Sequence, residues 1–174
     1  MAEQKKVRWG VIGAGGIADR RTIPGMMLAN NAELIAVMEI DLQQANRLKE
    51  KYGAKRAYDS EAELLADSEV DAVYIASPVV LHAKQAKMAA DAGKHILIEK
   101  PLAMTSAEGQ EVLDYCNARG ILIAAGLMMR FGANVMAMRE AVQAGQIGAV
   151  VSGFAQFTCW YPRSEEHTSE LQSH

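Results

Sequence analysis

Cysteine is nearly missing from this 174-residue chain: Cys116 and Cys159 stand far apart, with no CxxC pair or metal-ligand spacing around either. That leaves no basis for a disulfide-stapled scaffold or a cysteine-built metal site, and reduced thiols in a cytoplasmic protein are the expectation. An excess of positive charge is missing too. The 18 Lys and Arg are outnumbered by 21 Asp and Glu, a formal net charge of −3, so the chain has no basic footprint for nucleic acid. No apolar run approaches the roughly 18 residues of a membrane-spanning helix. Residues 1–6 are polar and lead straight into an apolar run, with no hydrophobic leader core. What remains is ordinary globular material, half hydrophobic and 22% charged. A chain of this size buries roughly 68–70% of its unfolded surface, enough for a core without staples.

Short apolar runs alternate with helical patterns, which is the mark of βαβ units around a parallel sheet. Strands are expected at 7–12, 33–40, 55–58, 71–76, 95–98 and 121–125. The last of these is apolar throughout, as a strand covered on both faces should be. Helices are expected at 16–29 (interrupted at Pro24), 42–51, 60–67, 80–92 and 106–118. Thr105 and Glu108 have capping-box spacing, and Gly53, Gly93 and Gly120 follow helical runs as left-handed stops. Methionines 26, 27, 128, 129, 136 and 138 read as core fillers.

Gly13-Ala14-Gly15-Gly16-Ile17-Ala18 follows the first strand and opens a helix. In this GxGxxA loop Gly13 permits a tight turn and Gly15 lets the backbone approach a pyrophosphate. Gly16 and Ile17 begin the helix whose N-terminus faces the anion. A structural turn, or a site for another nucleotide such as an adenosyl methyl donor, would use similar residues. Glu39 lies 21 positions past Ala18, where a carboxylate meets the adenosine ribose hydroxyls; the plain alternative is a solvated charge at a strand end. Ile40 follows it, not an Arg suited to a 2′-phosphate. Glu39 about 4 Å from that phosphate would be repelled by up to roughly 4 kcal/mol per charge at an effective dielectric near 20. NAD is therefore expected in preference to NADP.

Glu99-Lys100-Pro101, in the phrase AGKHILIEKPLAMT, closely resembles the signature of the Gfo/Idh/MocA oxidoreductases. Ser77-Pro78 with His82 resembles that family's second cofactor segment, although Val79 stands where the family often has Asn. Gly126 with Arg130-Phe131, then Gly145-Gln146-Ile147-Gly148, resembles its crossing into a second domain. The similarity runs from about residue 7 to 162. It implies a homo-oligomeric enzyme moving a hydride between NAD(P) and a sugar, cyclitol or related polyol. It further implies Lys100 near the hydride-transfer centre, assisting proton movement, with Glu99 fixing local geometry or reaching the nicotinamide ribose. A Lys there can be tuned toward neutrality beside a cationic ring. His82 either lines the nicotinamide pocket or caps and packs its helix, and Arg130 either meets ligand or balances an interdomain charge.

The expected organisation is a doubly wound parallel Rossmann domain over 1–125, then the first helix and strand of a truncated α+β second domain over 126–162. In that second part a helix is expected at 134–143, striped by Val135, Met138 and Val142, and a long strand at 149–161 with no partner after it. Residues 163–174 (RSEEHTSELQSH) continue no pattern and resemble the translation of a sequencing-library adapter; they are expected to be a non-native tail. The family's later Asp and His have no match here, so the chain is expected to bind cofactor without turning over substrate. Two other readings stay open: a non-catalytic dinucleotide-binding or redox-sensing module, and an enzyme of another class on the same fold, such as a methyltransferase. No metal is expected.

Overall fold

Alternation along the strands divides the core between two faces. A computed structural model describes residues 5–156 and Thr158. Six parallel strands form one sheet: β1 (Val7–Ile12), β2 (Ala32–Met38), β3 (Arg56–Tyr58), β4 (Ala72–Ile75), β5 (His95–Ile98) and β6 (Ile123–Ala125). Their spatial order is β3-β2-β1-β4-β5-β6, all pairings parallel. This is the doubly wound Rossmann order, in which the chain leaves β1 in opposite directions in its two halves.

Successive side chains on a strand point to opposite faces. Ile12, Ala36, Val73 and Ile75 thus join one buried cluster with Leu64, Ala86, Val112 and Cys116. Val11, Val37 and Tyr74 join the other, with Ala14, Ala18, Ile23 and Leu48. The first cluster is filled by α3 (Glu61–Ala66), α4 (Val79–Asp91) and α5 (Ser106–Asn117). The second is filled by a wide-pitched loop helix (Ala14–Thr22, kinked at Gly16), α1 (Ile23–Met27) and α2 (Leu42–Tyr52). Burying each large aliphatic chain contributes about 1.5–3 kcal/mol.

The joints follow local chemistry. Asp41 accepts the Gln43 N–H at 2.9 Å to start α2, and Gly53, at φ 68°, ends it. Thr105 accepts the Glu108 N–H at 3.2 Å to start α5. The Glu108 carboxylate reaches back to the Met104 N–H at 2.8 Å, one residue beyond the reciprocal capping-box partner. Gly93 and Gly120 adopt the left-handed conformation expected of them.

Several expectations need correction. Pro24 interrupts nothing: it occupies the first turn of α1, where a missing N–H is harmless, and the kink falls at Gly16. Among the described residues, strand β6 is a sheet edge rather than a doubly covered strand, paired only to β5, and Leu122 just before it is 73% exposed. Of the six methionines, only Met26 packs on the core, and Met27, Met128, Met129, Met136 and Met138 are exposed. The strand expected over 149–161 does not form in residues 149–156, which are exposed and irregular. No described segment offers it a ladder of hydrogen bonds, and a strand without a partner leaves its backbone unpaired. Phe157 and residues 159–161 lie outside the described residues, as does the tail.

The chain divides into two compact units, one up to Met128 and one from Met129 onward. In the second, α6 (Ala133–Gln143) ends at Gly145 with φ 70° and carries no buried residue. Among the described residues, no helix is long and apolar enough to cross a membrane.

Candidate functional site

Every strand exit is stitched to its neighbour. The Gly13 N–H donates to Met38 O at 3.1 Å, Glu39 N–H to Tyr58 O at 3.2 Å and Ala76 N–H to Ile12 O at 2.9 Å. The Glu99 N–H donates to Ile75 O at 2.8 Å, and the Gly126 N–H to Ile98 O at 2.7 Å. The turns after β1, β2, β4, β5 and β6 are therefore brought to one edge of the sheet. In a doubly wound sheet, ligands bind at that edge, where the strand order reverses.

Two glycines shape the first turn. Gly13 has φ 75°, and a Cβ there would lie 2.8 Å from the Ser77 nitrogen and 2.9 Å from the Ala76 carbonyl carbon. No side chain fits between the exits of β1 and β4. A Cβ on Gly15 would lie 2.1 Å from Gln44 Nε2 and 2.9 Å from Glu39 Oε1. A Cβ on Gly16 would meet nothing within 4 Å, so its surroundings are open. Bare glycine backbone at the start of a helix is the setting in which proteins bind anions. Glu39, just beyond the last residue of β2, accepts the Gly15 N–H on Oε1 at 2.6 Å. Glycine loop and carboxylate thus form one surface, and the donor set suits the phosphate and ribose of a dinucleotide.

Ser77 contributes backbone more than side chain. Its hydroxyl is turned inward to the Gln85 side-chain oxygen, and Gln85 is 3% exposed. His82, in the first turn of α4, is 1% exposed. Its Nδ1 lies 2.8 Å from Pro101 O and its Nε2 2.9 Å from Ser77 O, so the ring bridges the turns after β4 and β5. Pro78 is exposed at the start of that turn.

Glu99 has both carboxylate oxygens engaged. Oε1 accepts the Tyr74 hydroxyl at 2.5 Å and Oε2 the Lys100 N–H at 3.1 Å. Thr22 Oγ1 in turn donates to the Tyr74 oxygen at 2.9 Å. Burial first, then the Glu99 carboxylate beside it, holds the Tyr74 phenol well above its usual range, so it is a hydrogen donor at physiological pH. The Lys100 side chain is exposed at this rim.

The residues singled out after β1, β2, β4 and β5 are therefore gathered at one edge, with the His82 ring beneath the surface. Tyr74, Thr22, Gln44 and Gln85 escaped sequence reasoning. Each sits in an ordinary helix or strand position; only the fold gives Tyr74, Thr22 and Gln85 their polar partners and brings Gln44 against the glycine loop.

The family model described as "Oxidoreductase family, NAD-binding Rossmann fold" (GFO_IDH_MocA) matches residues 7–127. A D-xylose 1-dehydrogenase (NADP(+)) from Haloferax volcanii is 37% identical over 154 residues, 88% of this chain and 47% of the relative. Among solved structures, KijD10, a 3-ketoreductase from Actinomadura kijaniata in complex with TDP-benzene and NADP, aligns with TM-score 0.75 and 30% identity. That alignment covers 81% of this chain and 44% of the other. The WlbA dehydrogenase from Bordetella pertussis, in complex with NADH and UDP-GlcNAcA, aligns with TM-score 0.74 and 28% identity, covering 83% and 44%. The chain spans less than half the length of these proteins.

Proposed function

The chain belongs to the Gfo/Idh/MocA family of oxidoreductases with an NAD-binding Rossmann fold, and from its site we propose that it is the NAD(H)-binding part of an enzyme acting on a sugar, cyclitol or related polyol. The observation that carries this reading is Glu39 Oε1 at 2.6 Å from the Gly15 nitrogen, which puts a fixed carboxylate beside the bare loop. Gly13 would set the tight turn and Gly15 would let the pyrophosphate approach the loop, with the backbone of Gly16 and Ile17 facing it at the helix N-terminus. Glu39 would accept the adenosine ribose hydroxyls and disfavour a 2′-phosphate. Ser77 and Pro78 by backbone, and Glu99 and Lys100 by side chain, would border the nicotinamide end, with His82 holding their two turns together. Bound there, the nicotinamide supplies the hydride acceptor or donor.

Lys100 would hold a proton at the substrate's reacting hydroxyl, orienting it in one protonation state and receiving or returning its proton in the other. Glu99, held on both oxygens, keeps the start of this turn in place. The relatives' names favour carbohydrate substrates: one is a D-xylose 1-dehydrogenase, and another was solved with UDP-GlcNAcA.

Calorimetric titration of the purified chain with NADH, and separately with an adenosyl methyl donor, tests the reading. Saturable binding of NADH, with none of an adenosyl methyl donor, is expected. Binding of the methyl donor without NADH would overturn it.

A further inference from the structure

Tyr74 joins two parts of the site that are distant in sequence. It comes from the middle of the sheet, is 1% exposed, and is the residue of β4 that joins the cluster packed under the loop helix. Its hydroxyl sits between Thr22, at the end of that helix, and Glu99, at the exit of β5. The direction of the chain of bonds is fixed by chemistry. An ionised carboxylate only accepts, so the phenol donates to Glu99 and its oxygen accepts from Thr22. Glu99 is pinned on its other oxygen by the Lys100 N–H. Its Oε1 also lies 3.4 Å from where a Cβ on Gly126 would stand, which closes the remaining side.

We infer that Tyr74 is a positioning residue for the nicotinamide end of the site: oriented by Thr22, it holds the Glu99 carboxylate toward the bound nicotinamide ring. The helix behind the glycine loop and the turn bearing Lys100 are thereby set by a single buried hydroxyl. The inference rests on the proposal that this edge binds NAD(H). A phenylalanine at 74 would keep the packing of the ring and remove only the bond. Glu99 would then be held by the Lys100 N–H alone, while the glycine loop and Glu39 stay as they are.

The test compares two ligands on the 174-residue chain: NADH, and ADP-ribose, which lacks the nicotinamide. Tyr74→Phe is expected to weaken NADH by about tenfold, the size of one hydrogen bond to a charged group, and ADP-ribose by less than about twofold. Thr22→Val, which leaves the Tyr74 ring in place, should give a smaller loss with the same selectivity for NADH. In a Glu99→Ala background Tyr74→Phe should add nothing, because the phenol acts through that carboxylate. A merely structural role would weaken both ligands together. Equal losses for the two ligands in both variants, or full additivity with Glu99→Ala, would overturn the inference. If the unaltered chain binds neither ligand, the NAD(H) reading itself falls and this inference with it. If it binds ADP-ribose as tightly as NADH, only the nicotinamide-end assignment falls.

Discussion

Glu39 Oε1 accepts the backbone N–H of Gly15 at 2.6 Å, across 24 residues of sequence. The carboxylate is therefore fixed beside the loop, and under the proposed reading its charge would face the 2′-phosphate of NADPH. NADH should bind this chain more tightly than NADPH. Glu39→Ala should narrow the preference by about fivefold or more, since two charges about 4 Å apart repel by about 1 kcal/mol even at the dielectric of water. Fluorescence titrations with both cofactors check this. Equal affinities in the unaltered chain would remove Glu39 from cofactor selection.

Lys100 is exposed at the rim of the same edge, one residue past Glu99. In a protein carrying this domain with its substrate-binding partner domain, Lys100→Met should lower kcat by about a hundredfold or more, the usual weight of a general acid–base group. The Kd for NADH should change little. Near-normal turnover in that variant would take Lys100 out of the mechanism.

At the opposite end of the sheet Arg8 and Asp71 form a fork, with contacts at 2.6 and 2.9 Å between side chains. The Arg8 hydrogen bonds pull the Asp71 carboxyl from 3.8 down to about 2. A depressed carboxyl stabilises the fold above its unfolded value and stops doing so as pH falls through its folded one. Asp71→Asn should therefore lower the melting temperature at pH 7. The difference from the unaltered chain should shrink as pH drops from about 4 toward about 2. Both side chains are about one-third exposed, so added salt should weaken the effect. A difference that does not change across that pH range would rule out the ion pair as its source.

Beyond Met128 the described residues expose much apolar surface: Phe131 at 74%, Val151 at 95% and Phe154 at 90%. Both buried clusters lie entirely in the first unit. Ending the chain at Met128 should leave its fold and its NADH binding intact and reduce self-association, because exposed apolar segments with unpaired backbone invite pairing between chains. Size-exclusion chromatography of the two chains at matched concentration decides it. A clean monomer for the 174-residue chain and aggregation of the shorter one would show that the later residues protect the first unit.

Much of this architecture is local and legible in the sequence. The alternation of apolar runs and helical patterns located all six strands to within two residues at each end, and the caps at Thr105, Gly53, Gly93 and Gly120 lie where their chemistry calls for them. The glycine loop, Glu39 and the Glu99-Lys100-Pro101 turn could be read as site residues because each is a short motif tied to a strand end. Neighbouring residues and backbone sterics suffice to specify such features.

The tertiary structure decided which of those groups touch. Ser77 was legible as a site residue, but its hydroxyl turns to Gln85, and His82 proves to be a buried bridge between Ser77 O and Pro101 O. Tyr74 carries no local signal within its strand, and only the strand order places it between Thr22, 52 residues away, and Glu99, 25 residues away. Strand composition made β6 look covered on both faces, and a β-prone run suggested a strand at 149–161. Whether a strand is central, an edge or unformed depends on what lies beside it. Sequence supplies the propensity of each segment, but the partners that complete a sheet and fix a buried polar side chain come together only when the whole chain has folded.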